Sequence, residues 1–324
     1  MMSSPEEAAP RIPCALSCSV SLVEHVRWHS DLELRQPVMV AGFTGWNDAA
    51  DAASTAVRVL IEGWGATLVA SIDPEEFTDF STIRPHVRLT DGMTREIVWP
   101  QVAVWAASTA AGDVLLVLGP EPSFKWRTFC EQLLGVARRF DTAMVMTLGA
   151  LLADVSHNRS VQVIGTASDH DLIDRYDLQR SRYEGPTGIV GVFHDACTTA
   201  GIPTTSLWAA TPAYAREIPS PKAALALVRR ATDMIGTPPP IGMLAEEISE
   251  YEEQVEEMIS SDDELPGYVR RLEQMADDDE DDDDAADDAG DAGGDGPTAL
   301  DVESGDQLIE ELEQYLRDQG DEPS

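Results

Sequence analysis

The sequence predicts an α/β fold with a mostly parallel sheet whose two faces are covered by helices. Three observations support this prediction: short apolar runs, amphipathic stretches between them, and glycine-rich turns where a run ends. Near-continuous apolar runs of strand length are typical of strands buried on both faces, as parallel strands are. Their alternation with helical periodicity indicates the layered core of an α/β protein.

The clearest part of this pattern is residues 37–60, PVMVAGFTGWNDAADAASTAVRVL. Residues 37–43 form a short apolar run with β-branched side chains, which predicts a buried strand. Glycines and the pair Asn47-Asp48 then break the run, and Asn and Asp favour the start of a helix. From Ala49 onward an alanine-rich apolar face recurs at helical spacing, which lets the helix lie close to a sheet. Strand, glycine turn and helix form the first half of a βαβ unit.

Further strands and helices are predicted from similar patterns along the chain. Strands are expected at residues 66–72, 113–119, 142–149, 161–167 and 201–210, with weaker candidates at 86–89 and 96–99 around a turn at 90–92. Helices are expected over about 125–140 and over Pro221–Ile235, the latter with proline in its first turn. The segment 153–157 is expected to end a helix.

Five segments follow from this pattern. We expect an N-terminal segment (1–35), an α/β core (36–238), a helical hairpin (239–276), a disordered acidic linker (277–298) and a terminal amphipathic helix (299–324). The hairpin is predicted because apolar residues recur at spacings of four and three in an acidic stretch. The linker is almost wholly Asp, Ala and Gly, which cannot bury enough apolar surface to fold.

The net charge of −37 is concentrated at the carboxyl end. Residues 241–324 hold 32 acidic and 3 basic side chains, a net charge of −29, which leaves −8 for residues 1–240. Nucleic acid is not expected as a partner, because phosphate neutralisation needs clustered Lys and Arg. No apolar run approaches the ~20 residues that span a bilayer, so we expect a soluble, cytoplasmic chain without a membrane partner.

No metal or cofactor is expected. The cysteines are scattered without the spacing of a zinc or disulfide framework, and reduced, buried thiols are the simpler interpretation: Cys14, Cys18, Cys130 and Cys197. His25 and His29 lie four apart but lack a third ligand. A Walker lysine and a G-x-G-x-x-G fingerprint are absent. Because no catalytic set is evident, the sequence favours a non-enzyme without excluding an enzyme.

Three loops, at 42–48, 119–126 and 183–188, are expected to meet at the carboxyl ends of the strands, where open α/β sheets bind ligands. The candidate ligand-binding residues in them are Gly42, Gly45, Asn47, Asp48, Glu121, Trp126, Glu184, Gly185, Thr187 and Gly188. Because three of these are carboxylates, a neutral or cationic small ligand fits better than a phosphate. The alternative is that the glycines form tight turns and the acids cap helices.

A candidate partner-binding surface lies near the carboxyl end. Residues 304–307 have a capping-box pattern, and an apolar stripe follows it, formed by Leu308, Leu312, Tyr315 and Leu316. Such i, i+4, i+7 anchors fit the hydrophobic groove of a partner protein. The alternative is a short helix that docks on its own chain or frays.

Several stretches, in order, resemble the proteasome assembly chaperone 2 family in its actinobacterial form. They are GWNDAADAAS (45–54), LGALLADVSH (148–157), GTASD (165–169), YEGPTGIVG (183–191), SLWAATPAY (206–214) and PSPKAALAL (219–227). The resemblance implies a nucleoside-phosphorylase-like α/β core, a C-terminal helical hairpin and a homo-oligomer, with a trimer as the first guess. Family members in archaea and eukaryotes help to assemble the proteasome core, often through a C-terminal hydrophobic-Tyr-x tail that this sequence lacks.

The residues and the resemblance together predict a non-catalytic binding or assembly protein that acts on the proteasome or on another protein complex. The alternative is a binder of a small, nucleoside-like molecule, or a hydrolase- or phosphorylase-like enzyme that uses the strand-end loops. A shared fold does not carry an activity with it. The Arg-plus-Ser phosphate grip that such an enzyme needs is not evident in the sequence.

Overall fold

An eight-stranded sheet forms the centre of the protein, in a computed structural model that describes residues 23–242 and 244–275. Its strands lie in the order β1-β3-β6-β7-β2-β8-β10-β9, and β4 and β5 form a separate two-stranded hairpin. The strands are β1 (Val26–Trp28), β2 (Val38–Thr44), β3 (Thr67–Ile72), β4 (His86–Thr90), β5 (Thr94–Val98), β6 (Val102–Ser108), β7 (Asp113–Pro120), β8 (Met144–Ala153), β9 (Val163–Ala167) and β10 (Thr204–Pro212).

The sheet is parallel at its centre and antiparallel at its flanks. β7, β2, β8 and β10 pair in parallel, whereas β1, β3, β6 and β9 join through antiparallel pairs. Five strands therefore run in one direction, namely β2, β3, β7, β8 and β10. The predicted α/β fold with a mostly parallel sheet is confirmed. One antiparallel flank arises because β3 leads to β6 through a short 3-10 turn and the β4–β5 hairpin, and β6 leads directly to β7, with no α-helix in either connection.

Helices cover both faces of the sheet. They are α1 (Ala52–Gly63), α2 (Trp126–Arg139), α3 (His170–Tyr176), α4 (Ile189–Thr199), α5 (Pro221–Ile235), α6 (Leu244–Ser260) and α7 (265–275). The buried residues of α2 and α4 join one core, and those of α1 and α5 join the other. Three layers result, with the sheet in the middle.

Strand β2 contributes to both cores because successive side chains of a strand point to opposite faces. Met39, Ala41 and Phe43 enter the core beneath α2 and α4, while Val40 enters the core beneath α1 and α5. A strand buried on both faces needs an unbroken apolar run. This requirement explains why residues 38–43 were recognisable in the sequence.

The start and end of α5 follow from its sequence. The Ser220 hydroxyl accepts a hydrogen bond from Ala223 N (3.2 Å), Pro221 occupies the first turn, and Gly236 ends the helix in the left-handed conformation, with φ of 82°. Its inner face includes Ala224, Leu227 and Val228, all fully buried. The helix therefore lies close to α1, whose inner face is also rich in alanine.

Two helices, α6 and α7, follow the core and pack against it. Tyr251, Val255 and Ile259 of α6 are buried in a small cluster with Ala215 of the core and Val269 of α7. The remaining surface of α6 is mostly glutamate. This pair occupies the region where the sequence predicts a helical hairpin, whereas the predicted linker and terminal helix lie outside the described residues.

One local prediction was wrong. Residues 153–157 do not end a helix: Ala153 ends strand β8, and a turn follows it. The run of branched and apolar residues that precedes this turn pairs with β10 along its whole length. His25 and His29 flank strand β1 rather than sharing a helix face. Among the described residues, no helix has the length and apolarity to cross a membrane.

Candidate functional site

The loop after β2 connects several elements at the carboxyl ends of the central strands. Gly45 begins it with a φ of +125°, a conformation that favours glycine. Asn47 O accepts a hydrogen bond from Ala150 N of β8 (2.9 Å), and Ala50 O accepts one from Ser220 N (2.8 Å) at the start of α5. The loop is therefore fixed to a neighbouring strand and to the helix on one face of the sheet.

Asp48 caps helix α1 from within this loop. Its Oδ1 accepts hydrogen bonds from Ala53 N (2.7 Å) and Ser54 N (3.0 Å). The intervening Ala50 and Asp51 both adopt the left-handed conformation, with φ of 50° and 52°. This conformation is costly for residues with a Cβ, so the surrounding contacts must hold it.

Asp48 is buried, with only 6% of its surface exposed to solvent. Burial raises its pKa from 3.8 to about 6, against the opposing effect of hydrogen bonds from Ser54 and Ala53. Its second oxygen, Oδ2, is buried and has no hydrogen-bond partner. A buried acceptor of this kind is a place where a donor group would be stabilised.

Glu121 and Asn47 cap helix α4 from distant parts of the chain. Glu121 Oε1 accepts a hydrogen bond from Ile189 N (2.7 Å), and Asn47 Oδ1 accepts one from Val190 N (3.4 Å). Burial also raises the pKa of Glu121, although the bonds from Ile189 N and Trp46 N oppose the shift. The first turn of α4 thus receives its acceptors from the other two loops.

Gly188 allows this convergence because a side chain at its position would fill the space between the two caps. A Cβ at Gly188 would overlap the Asn47 amide oxygen and lie 2.9 Å from Glu121 Oε1. The three loops therefore meet, as the sequence predicts. Their side-chain oxygens accept hydrogen bonds from the backbone N–H groups of α1 and α4 that would otherwise bind an anion. We call this arrangement crossed helix caps, because α4 is capped by side chains from the two loops that do not lead into it.

The other candidate ligand-binding residues have different surroundings. Gly42 lies against α1, where a Cβ would be 2.9 Å from Val57 Cγ2, and Trp126 packs at the edge of the core beneath α2 and α4. Three residues of the loop before α4, namely Glu184, Gly185 and Thr187, are exposed. The structure thus brings Asn47, Glu121 and Gly188 into contact, with Asp48 next to them in the chain.

A cavity of about 520 Å³ lies elsewhere, between β1, the turn after β3 and the β4–β5 hairpin. Arg27 and Asp73 form one ion pair at this cavity, and Arg88 and Glu96 form another, with 2.8 Å between nitrogen and oxygen. Trp99 lines the same cavity and is 46% exposed. None of the candidate ligand-binding residues lines this cavity, and no motif in the sequence indicated it.

A Ser–His pair is present but has no access to a substrate. The Ser206 hydroxyl lies 2.8 Å from His194 Nδ1 and 2.7 Å from Thr147 Oγ1. Ser206 is 5% exposed, in the middle of β10 beneath α4. Burial lowers the pKa of His194. Ser206 and Thr147 are buried and His194 is half-buried. The three side chains form a polar chain in which the Ser206 hydroxyl is not accessible as a nucleophile.

The turn after β8 holds the α6–α7 pair in place through a buried polar network. His157 is 2% exposed, and its Nδ1 lies 2.8 Å from the Tyr214 hydroxyl and its Nε2 lies 3.3 Å from Glu256 of α6. Lys222 Nζ donates to Glu252 of α6 (3.0 Å). Asn158 Nδ2 donates to Glu273 of α7 (2.8 Å). Sequence reasoning missed this network because its members come from five separate segments.

No metal-binding site is evident in the part of the chain that the structure describes. No group of three His, Cys, Asp or Glu side chains is placed there to hold an ion. The two described cysteines, Cys130 and Cys197, are buried, and burial raises the pKa of each thiol to about 12. These thiols are consequently poor nucleophiles and poor ligands at neutral pH.

The fold and the site define a class of protein: a three-layer α/β core with crossed helix caps at its strand ends and a docked helical pair. The chain belongs to the PAC2 family, whose sequence pattern matches residues 42–259. No curated protein matches the chain.

Solved structures of actinobacterial proteins are similar to this chain over most of its length. A PAC2 family protein from Streptomyces avermitilis is 44% identical, with a TM-score of 0.66, over 72% of this chain and 99% of that chain. A proteasome-assembly chaperone homologue from Mycobacterium tuberculosis is also 44% identical, with a TM-score of 0.65 and the same coverage.

An archaeal structure is similar in fold alone. PbaB from Pyrococcus furiosus, described as a proteasome activator, is 17% identical with a TM-score of 0.61, over 72% of this chain and 97% of that chain. The fold is therefore common to actinobacterial and archaeal proteins of different sequence.

Proposed function

We propose that this protein is a non-catalytic assembly protein that acts on a protein complex, with the proteasome as the first candidate. The observation that carries the proposal is the 44% identity, over 72% of this chain, to the Mycobacterium tuberculosis proteasome-assembly chaperone homologue. The geometry supports it, because the strand-end carboxylates are occupied as helix caps and the Ser206 hydroxyl of the Ser–His pair is buried. A binding role needs neither group to be free.

The proposed partner contact is the apolar stripe Leu308, Leu312, Tyr315 and Leu316, which lies outside the described residues. An acidic, self-repelling tether over 277–298 would let this stripe reach on the order of 25 Å from the α6–α7 pair. Its anchors have the spacing that a hydrophobic groove accepts. The full assembly is proposed to be a homo-oligomer, with a trimer as the first guess.

The experiment uses purified full-length protein and purified proteasome α- and β-subunits from the organism that encodes this chain. We expect the protein to form a complex with one class of subunit and to speed the formation of the core particle. The double variant Leu308→Ser/Leu312→Ser should lose the complex while keeping the melting temperature of the core. Leu32→Ser is the matched control, because Leu32 is an exposed leucine in the segment before β2, 43% accessible.

Two results would contradict the proposal. One is the absence of any complex with either class of subunit at micromolar concentrations. The other is a core particle that forms at the same rate with and without the protein. If the complex forms and Leu308→Ser/Leu312→Ser leaves it unchanged, the assembly role stands and the terminal stripe is the wrong contact.

The second candidate function is binding of a small, nucleoside-like molecule at the strand-end loops. The observation that favours it is the buried Asp48 Oδ2, which has no hydrogen-bond partner and would accept from an amino or hydroxyl group. A panel of nucleosides should then raise the melting temperature of the protein, and Asp48→Asn should weaken the effect. Glu184→Gln, in the exposed loop before α4, tests whether that loop contributes. A panel without any shift in melting temperature would remove this candidate.

A further inference from the structure

The β4–β5 hairpin and its flanks, residues 84–99, form an arm that stands away from the core. β4 and β5 pair with each other from His86↔Val98 to Thr90↔Thr94, and neither pairs with a strand of the eight-stranded sheet. Every residue from 86 to 99 is exposed. Five paired residues at ~3.3 Å each give the arm a reach of roughly 17 Å before its turn.

The arm presents apolar side chains to solvent. Val87, Leu89 and Ile97 share one face, because Val87 pairs with Ile97 and Leu89 with Arg95, and they are 53%, 59% and 55% exposed. Met93, at the turn, is 86% exposed. A two-stranded hairpin is marginal in water by itself, and grouped exposed apolar residues mark interaction sites. These exposed apolar side chains therefore indicate that the arm contacts another protein surface.

The charge of the arm differs from that of the rest of the chain. The arm has a net charge of +1, because it holds three basic residues (Arg84, Arg88 and Arg95) and two acidic ones (Asp91 and Glu96). The remainder of the chain has a net charge of −38. Most of this charge lies in residues 241–324, but residues 1–240 outside the arm are also acidic, with a net charge of −9. Two copies therefore repel each other where these acidic surfaces meet. The arm is a segment that can approach the acidic surface of another copy with attraction instead of repulsion.

A complementary surface lies beside the base of the arm. The 520 Å³ cavity is lined by Arg27, Asp73, Glu75, Arg88 and Glu96, together with Trp99. Each arginine there is paired with a carboxylate, which leaves Glu75 with no ion-pair partner among the described residues. An exposed tryptophan and a free carboxylate suit an apolar strand that carries an arginine, and Arg95 is such a residue on the arm.

We propose that the arm of one copy packs against a second copy of this chain, beside the cavity at the base of that copy's arm. The proposal rests on the homo-oligomer of the proposed function and identifies its contact. The surfaces on the two copies are different, so the contact is head-to-tail, and such contacts close into rings when the rotation between copies permits. A trimer is one such ring.

The first experiment measures the mass of the full-length protein by light scattering after size-exclusion chromatography, at several concentrations. The wild type should be an oligomer. Val87→Ser/Ile97→Ser and, separately, Arg95→Glu should dissociate it, with self-association weakened roughly tenfold or more. Arg58→Glu is the matched charge control, because Arg58 is exposed on α1, away from the arm. It should keep the wild-type mass.

A second experiment leaves the paired strands of the arm unchanged and alters only its turn. Met93 is replaced by a photo-reactive benzoylphenylalanine, and heavy-isotope and light copies are mixed before irradiation. Cross-links between a heavy and a light peptide from residues near the cavity are the expected result. Cross-links confined to one copy would overturn the proposal, and a link from position 93 to residues 276–324 of the same copy would assign the arm to the chain's own tail.

The outcomes separate this inference from the proposed function. An oligomer that survives both arm variants would overturn the arm contact and leave the homo-oligomer in place. A wild type that is monomeric at every concentration would overturn the arm contact and the homo-oligomer together. Neither result would touch the assembly role, which is tested by complex formation with proteasome subunits.

Discussion

The Tyr214 hydroxyl accepts a hydrogen bond from the backbone N–H of His157, with 2.8 Å between nitrogen and oxygen. The same hydroxyl lies 2.8 Å from Nδ1 of the His157 ring. Tyr214 follows β10, and His157 lies in the turn after β8, so the pair joins the ends of two neighbouring strands. On its other side, His157 Nε2 lies 3.3 Å from Glu256 of α6. Tyr214 is therefore one of the side chains that join the core to the α6–α7 pair, together with Lys222 and Asn158.

Replacing Tyr214 with phenylalanine should loosen the α6–α7 pair before the rest of the protein. The change leaves the buried His157 N–H without its acceptor, which costs about 1–3 kcal/mol. Hydrogen exchange should accelerate in residues 244–275 and stay slow in α1. Uniform acceleration over the whole chain would show that the α6–α7 pair does not unfold separately.

Asp48→Asn should change how stability depends on pH. Because the folded-state pKa is about 6 and the ordinary value is 3.8, the folded chain holds this proton more tightly than the unfolded chain. Asp48 therefore makes the free energy of unfolding fall as pH rises from about 4 to about 6, by about 3 kcal/mol in total. Urea unfolding at several pH values should show this decline in the wild type and its loss in Asp48→Asn.

Asp113→Asn is the control, because the pKa of Asp113 is shifted in the direction opposite to that of Asp48. Hydrogen bonds from Ser108 and from Arg35 N lower the pKa of Asp113 below 3.8. Its contribution to stability is therefore present above that pH and is lost as the pH falls below it. Because Asp113 is only partly buried, its effect should be smaller than that of Asp48. A wild-type profile retained in Asp48→Asn would contradict the burial argument.

Gly188→Ala should destabilise the protein even though its backbone φ of −93° suits alanine. The added methyl group would displace both Asn47 and Glu121 from α4. Overpacking of this kind costs about 1–3 kcal/mol. Glu121→Gln keeps an oxygen acceptor for Ile189 N and should cost less. Thermal unfolding measures the loss of stability in each variant, and the loss should be larger in Gly188→Ala. A larger loss in Glu121→Gln would contradict the overpacking argument.

Cys130 and Cys197 should resist alkylation in the folded protein. With a pKa of about 12, roughly one thiol in ten thousand is ionised at pH 8, and the thiolate is the reactive form. Mass spectrometry after iodoacetamide treatment should find both residues unmodified. The same treatment in urea should modify both. Rapid alkylation without urea would mean that α2 and α4 open frequently.

The core was predictable from the sequence because its signals are local. Strand β2 is recognisable as an apolar run, and the α5 boundaries follow from Ser220, Pro221 and Gly236. The strands of the arm were also predicted, at 86–89 and 96–99. Their exposure was not predicted, because β-branched residues in a strand look alike whether another element covers them or solvent does.

The site was predictable only in part. The sequence places Asn47, Glu121 and Gly188 in three loops, and the rule for parallel strands brings those loops together. Which oxygen caps which helix depends on tertiary contacts between residues 68 and 143 positions apart. The His157 network depends in the same way on contacts with α6 and α7, which no local pattern encodes.

The hydrogen bond from Val190 N to Asn47 Oδ1 has a consequence during synthesis of the chain. Ribosomes add about 5–20 residues per second, so the 143 residues between these partners take roughly 7–30 s to make. During that time β2 has emerged, while β7 and β8, the strands on its two sides, are still being added. A central strand with two bare edges pairs readily with other nascent chains. The edges of β2 are thus open to such pairing until β8 is complete at residue 153.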